Sequence, residues 1–329
     1  MTHPLPSAGA TILSTIQATG LDTSGIRQLG HEHEGARTAQ YVAVNGADKD
    51  LELAMADMDI FTTHSSPTHW ANTVSAAKPR WLVVDGNWSA PDIRAWTSAG
   101  RAAGARVAFE PVSTAKSARL FPPGGVAGLG IFPHQDVDLA TPNQLELAAM
   151  HAAAREGDYL DSAAWFEVVD ALGIHAGSGA RDRFVRIAGR AAADAGIPVQ
   201  SVQLLPFIPT IVAKMGASGA LLTELMAPGD PRLLDRTEEP FIVARAPPGG
   251  CVGGVYMRAF PAAETVHDAV SVNGVGDTFL GALVAGLAKG GRVEKLVDVA
   301  QRAAVMTLRS RESVSADLGT LKGDLERAV

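Results

Sequence analysis

The stretch that most constrains this chain runs from Val270 to Leu287 and reads VSVNGVGDTFLGALVAGL. A β-branched approach ends at Asn273-Gly274-Val275-Gly276-Asp277, and the residues behind it, Thr278 to Ala288, are apolar nearly all round. This pattern predicts a tight turn feeding the N-terminus of a buried helix. Two glycines let the backbone turn sharply, so successive N–H groups converge on one concavity. The helix dipole adds partial positive charge at the same end, which makes an anion site. Asp277 is the odd member, because a carboxylate repels an anion. It fits as a general base meeting a hydroxyl proton at the mouth of the anion hole. An Asp that merely caps a helix fits the spacing equally well.

Composition narrows the field. With 329 residues and 47% hydrophobic content, the chain suits one large α/β domain or two small ones. A net charge of −7 without a basic block argues against a nucleic-acid surface. The single cysteine, Cys251, excludes a disulfide framework and a Cys-based zinc site, and a reducing compartment follows as the default. It follows Pro247-Pro248-Gly249-Gly250 with no basic neighbour and reads as structural, not nucleophilic. No basic segment precedes a long apolar core at the N-terminus, and no apolar run approaches ~20 residues. The expectation is a cytoplasmic protein with no membrane partner.

Along the chain, Ala8 to Thr19 has helical spacing and stops at Gly20. Thr38 to Val44 and Leu51 to Met55 read as a hairpin around the polar turn Asn45 to Asp50. His31-Glu32-His33-Glu34 reads as a solvated loop, since no third ligand with metal spacing is near. From Pro67 onward strand and helix alternate: strand Trp81–Asp85, helix Pro91–Ala103, strand Arg106–Phe109, strand Val137–Ala140, helix Asn143–Ala154. Helices Trp165–Leu172 and Arg181–Ala195 follow, the second ended by Gly196 and Pro198, then strands Thr210–Met215 and Ala220–Leu225, and a last helix Val293–Leu308. The loops at 117–135 and 227–240 are expected to lack regular structure. Such alternation predicts an α/β fold with a mostly parallel sheet and crossover helices, its function at the carboxyl ends of the strands. Asp85-Gly86-Asn87 and Glu110-Pro111-Val112-Ser113 fall at such ends. Asn143 and Glu146 share one face at a helix start, where hard oxygens suit Mg²⁺ through water; a Glu there is also ordinary. Gly216-Ala217-Ser218-Gly219 is a hairpin turn or a phosphate loop, and Lys214 reaches a phosphate or snorkels to solvent.

Gly274-Val275-Gly276-Asp277-Thr278-Phe279 resembles the signature of the ribokinase-like (PfkB) sugar and nucleoside kinases. The resemblance implies a three-layer sandwich with a mostly parallel sheet and a small β-hairpin lid, here residues 38–58, on one domain spanning 1–329. It makes Asp277 the base and puts Gly274, Val275 and Gly276 in the anion hole. Asn143 and Glu146 resemble the Asn-x-x-Glu motif that arranges magnesium and triphosphate. Gly216, Ser218 and Gly219, with Lys214, resemble the loop against the nucleotide. Asp85 and Asn87 look like the edge of the sugar cleft, most similar to pseudouridine kinases and the kinase half of fungal pseudouridine-degrading fusion proteins. ATP and Mg²⁺ are therefore the implied cofactors, and a homodimer through the lid is compatible with the resemblance. Ser271 stands where the family often has Asp, which argues against a potassium site. The family's first strand and its Gly-Gly-x-x-x-Asn helix are not found, so an N-terminally truncated domain is expected. The function expected is ATP-dependent phosphorylation of a primary hydroxyl, with pseudouridine foremost. The alternative is a catalytically silent nucleotide-binding remnant.

Overall fold

Strand residues alternate between two apolar layers, and that alternation sets the architecture. In the computed structural model, which describes residues 7–29, 35–46, 51–124, 128–174, 177–267 and 269–329, helix α1 (Ala8–Ala18) precedes a hairpin of β1 (Gln40–Asn45) and β2 (Leu51–Asp57). Short α2 (Ile60–Thr63) and α3 (Pro67–Ala77) lead to β3 (Trp81–Asp85), α4 (Ala90–Ala102), β4 (Arg106–Glu110), α5 (Thr114–Ser117) and β5 (Leu139–Ala140). Then come α6 (Gln144–Glu156), α7 (Ala163–Ala171), α8 (Ala180–Ala188), α9 (Arg190–Asp194) and α10 (Ile197–Leu204). The chain continues through β6 (Thr210–Lys214), β7 (Ala220–Met226), β8 (Ile242–Arg245) and β9 (Gly254–Phe260), and ends in α11 (Val275–Ala288), α12 (Val293–Leu308) and α13 (Lys322–Ala328). The His31–Glu34 cluster and most of the turn expected at 45–50 lie outside the described residues.

The main sheet has the order β3-β4-β5-β6-β7-β9-β8. Strands β3 to β6 pair in parallel, and β7, β9 and β8 add antiparallel neighbours. Because β9 runs with β6, most strands point one way. Val107, Phe109, Ile211, Ala213 and Leu221 face one core, shared with residues of α4, α6, α7 and α10. Ala108, Leu139, Val212, Leu222 and Tyr256 face the other, shared with α11 and α12. Successive side chains point to opposite faces of a strand, so a sheet covered on both sides needs apolar residues at every position. The expected α/β three-layer sandwich is what forms, with the hairpin as a separate two-stranded sheet.

Four local readings change. The helix expected over 181–195 breaks at Gly189, whose φ of +83° separates α8 from α9. Pro198, read as a stop, opens α10, where its missing N–H costs nothing. β8 and β9 flank a Pro/Gly-rich segment and were not expected. β3 is less buried than its apolar sequence suggests, because it is an edge strand with Val83 48% exposed.

Behind the loop that follows β3 sits an aromatic cluster. Trp70 stacks on Trp96 at 4.7 Å, and Trp88 meets Trp70 edge-on at 4.7 Å and Phe61 at 4.9 Å. Such pairs add specific geometry to the large apolar area they bury.

Candidate active site

The carboxyl ends of β3, β4, β5 and β6 converge on the N-terminus of α11. They bring Asp85, Glu110, Thr141 and Lys214 to one cleft. Gly274 is the N-cap of α11 at φ +72°, a left-handed conformation that favours glycine. A Cβ there would lie 1.8 Å from the Ser313 carbonyl oxygen, so only glycine fits. The first intrahelical bond is donated by Thr278 N–H to Gly274 O. Among the described residues, the N–H groups of Gly274, Val275, Gly276 and Asp277 therefore meet no acceptor, as expected of a helix start. The helix begins three residues earlier than its apolar run, so Gly276 and Asp277 lie within its first turn.

Asp277 stands at this turn with its carboxyl above the usual aspartate range. Burial is the main cause and the nearby Asp85 adds to it, while Lys214 opposes. The Lys214 ammonium lies 3.5 Å from Glu110 Oε1. It also lies 3.0 Å from where a Gly276 Cβ would stand, so it sits directly under the amide turn. Glu110 Oε2 accepts from the Thr141 hydroxyl at 2.9 Å. Burial raises the Glu110 carboxyl; Lys214 and Thr141 oppose, and Glu146 and Asp277 add to the rise. A buried carboxylate at this cost needs its cation held close. Thr141 was not singled out from the sequence as a site residue; Glu110 was noted there at its strand end, and the structure adds its contacts with Lys214 and Thr141.

Asn143 and Glu146 form a reciprocal capping box. Asn143 Oδ1 accepts from the N–H groups of Leu145 and Glu146, both at 2.9 Å, and Glu146 Oε2 accepts from Asn143 N–H at 2.7 Å. Asn143 is thus occupied in holding Glu146, whose charge is felt by Glu110. Carboxylate oxygens such as those of Glu146 are hard ligands of the kind magnesium takes, often through water. Among the described residues, no three His, Cys, Asp or Glu side chains cluster as a metal set on their own.

On the far side of Lys214 a cleft of roughly 230 Å³ runs along Gly216, Ala217, Gly219, Val275 and Phe279 to Ala304, Val305 and Leu308. Gly219, at φ +86°, could carry no Cβ, which would lie 2.0 Å from the Phe260 carbonyl oxygen. Ser218 belongs to the same turn but does not line the cleft. The 262–266 loop was not foreseen as lining, since small apolar residues there have no distinctive signature. Glu264 on that loop pairs with Arg309 at the end of α12, Nη1 to Oε2 3.0 Å. Asp85 and Asn87 lie at the opposite rim: Asp85 Oδ1 accepts from Asn87 N–H at 2.8 Å. Ser271 Oγ accepts from Asn273 N–H at 3.2 Å in the approach to α11.

Residues 238–318 match the pfkB family carbohydrate kinases. The fold of the chain is ribokinase-like. The matched segment contains β8, β9, α11 and α12, hence the anion hole and much of the apolar cleft. Over 328 residues the chain is 27% identical to a pseudouridine-metabolizing bifunctional protein of Schizosaccharomyces pombe. That alignment covers 96% of this chain and 41% of the relative, so the chain spans less than half the relative's length. Among solved structures, ribokinase from Cryptococcus neoformans with ADP is similar at a TM-score of 0.57 and 16% identity, covering 96% of this chain and 79% of that one. The Burkholderia thailandensis nucleoside kinase with inosine gives 0.59 and 12%, covering 98% and 76%. The resemblance read from Gly274 to Phe279 is borne out, as is the ribokinase-like sandwich.

Proposed function

We propose that this pfkB-type chain transfers the γ-phosphoryl group of ATP to the primary hydroxyl of a ribosyl compound, pseudouridine being the leading candidate. The observation that carries the reading is the pairing of Asp277 with unmet amides and the Lys214 ammonium at one helix start. A lone anion site would have no use for a carboxylate there. A base beside an anion hole does.

In this reading Asp277 takes the hydroxyl proton as the oxygen attacks in line. The amides of Gly274 to Asp277 and the Lys214 ammonium stabilise the charge that spreads over the equatorial oxygens. Gly216 and Gly219 let the backbone approach the nucleotide, and the apolar cleft takes its base. Glu146, fixed by Asn143, would hold magnesium, which supplies charge neutralisation to the phosphates when bound. Asp85 and Asn87 face the acceptor. The similarity to a pseudouridine-metabolizing protein supports the choice of acceptor.

A coupled ADP assay with pseudouridine and ribose, together with calorimetry for Mg-ATP, tests this. Asp277→Asn should lower turnover by roughly 10²–10⁴-fold while Mg-ATP affinity stays. Unchanged turnover in that variant would remove Asp277 from the base role. The second reading is a nucleotide-binding protein without transfer, favoured by the sparse acceptor side, where Asp85 and Asn87 stand beside the open edge of β3. Mg-ATP binding with no ADP release for any acceptor would establish it.

A further inference from the structure

The loops after β3 and β4 are braced against each other more tightly than a passive rim requires. Val112, a β-branched residue, sits at φ +69°, and Ser113 N–H donates to the Pro111 carbonyl at 2.8 Å. That is a strained three-residue turn, of the kind that persists where surrounding structure enforces it. It aims α5 back over the neighbouring loop. Gly86 lies so close beneath that a Cβ would stand 2.7 Å from Pro111 O and 3.2 Å from the Lys116 Cβ. Arg119 Nη1 donates to the carbonyls of Gly86, Asn87 and Trp88 at 2.9, 2.8 and 3.2 Å. Lys116 Nζ then reaches Asn87 at 2.6 Å.

An ammonium donates and cannot accept, so the Asn87 atom it meets must be the amide oxygen. The chemistry of the pair therefore fixes which end of this amide faces Lys116. With the oxygen committed and the backbone N–H of Asn87 given to Asp85, the amide N–H pair of Asn87 has no acceptor among the described residues. Beside it, Asp85 keeps its second oxygen. We propose that Lys116 is a positioning residue that locks Asn87 with its N–H pair toward the acceptor cleft. The rim then presents a donor pair next to a carboxylate acceptor. It is matched by a substrate edge offering an acceptor beside a donor: the imide edge of a pyrimidine-like base, or two adjacent sugar hydroxyls. This rests on the phosphotransfer reading for the placement of the acceptor cleft.

Calorimetry of the full chain with Mg-ATP, pseudouridine and ribose, each titrated separately, decides it. Lys116→Met frees the amide to rotate and should weaken pseudouridine binding by roughly tenfold, the scale of one or two hydrogen bonds, with Mg-ATP affinity unchanged. Lys116→Arg should restore most of the loss, since it still donates to the amide oxygen. Asn87→Asp keeps a partner for Lys116 but has no N–H pair, and should weaken pseudouridine as much as Lys116→Met does. A loss confined to pseudouridine assigns the edge to the base, and an equal loss for ribose assigns it to the sugar. Unchanged pseudouridine affinity in Lys116→Met or in Asn87→Asp overturns the proposal, as does a parallel fall in Mg-ATP affinity, which would mark a general structural role. A parent protein that binds Mg-ATP but neither acceptor also overturns it, whereas one that fails to bind Mg-ATP overturns the phosphotransfer reading itself.

Discussion

The two sides of this cleft, one around α11 and the other around the loops after β3 and β4, are built on opposite principles. Around α11 the backbone is packed so closely that Gly274 and Gly219 have no room for a single methyl group. The helix itself is sealed between the sheet and α12, with Phe279, Leu280 and Leu283 buried. Across the cleft, β3 is an open edge, and the β1–β2 hairpin pairs Val42 with Met55 and Val44 with Leu53 on one face while leaving each about half exposed. One side holds its chemistry with backbone atoms locked by neighbours. The other holds it with side chains on braced loops, beside apolar surface that nothing in the described residues covers. A phosphate is the same in every substrate, so a rigid cradle suits it; the acceptor differs, and loops carry that difference.

Breaking the rigid side should cost most. Gly274→Ala places a Cβ against the Ser313 carbonyl and forces positive φ, so it should abolish phosphotransfer and destabilise the fold by about 1–3 kcal/mol. Thermal denaturation together with the ADP assay measures both, and a variant that remains active and equally stable would show that the turn is not locked. Lys214→Met comes next. With Lys214 removed, only burial and Asp85 act on Asp277, and both raise its pKa. The base is then protonated at higher pH than before, so the acidic limb of kcat/KM against pH should move upward. A limb that stays in place would remove Lys214 from the role of counter-ion. Gly281→Ala, on the same helix but with open space around its Cβ position, should instead stabilise by roughly 0.4–1 kcal/mol. A loss there would mean that tight packing extends beyond the first turn. The smallest effect is expected on the loose side. Leu53→Lys together with Met55→Lys should leave stability within about 0.5 kcal/mol and Mg-ATP affinity unchanged. The same pair tests whether the hairpin joins two copies, because light scattering should then show dissociation.

The same contrast explains what the sequence could tell. Gly274 to Asp277 were legible because a backbone site needs particular residues at particular spacing. The helix start at Asn143 and Glu146 was legible from its spacing, and the structure adds that the two side chains close a capping box there. The contact of Glu110 with Thr141, and that of Lys116 on α5 with Asn87, join side chains from separate segments of the chain, and no local pattern marks such a pairing. β8 and β9 were hidden because they are antiparallel and separated by a Pro/Gly-rich turn, whereas β3 to β6 announced themselves through crossover helices. The split between α8 and α9 turned on one glycine that a helical period tolerates. Pro198 misled because the same residue ends one helix and starts another, and only the capping geometry separates the two.

The tryptophan cluster gives the acceptor loop an optical consequence. Three of the five tryptophans, Trp70, Trp88 and Trp96, stand in mutual contact, and Trp88 directly follows the amide that Lys116 holds. Excitation absorbed anywhere in that group is shared among the three rings, so a small displacement of Trp88 alters the emission of all of them. Trp81 lies at the other end of β3, and Trp165 on α7 is buried against Phe166. Under the proposed placement, an acceptor bound against Asn87 should change the tryptophan emission, whereas a nucleotide bound beside Phe279 should not.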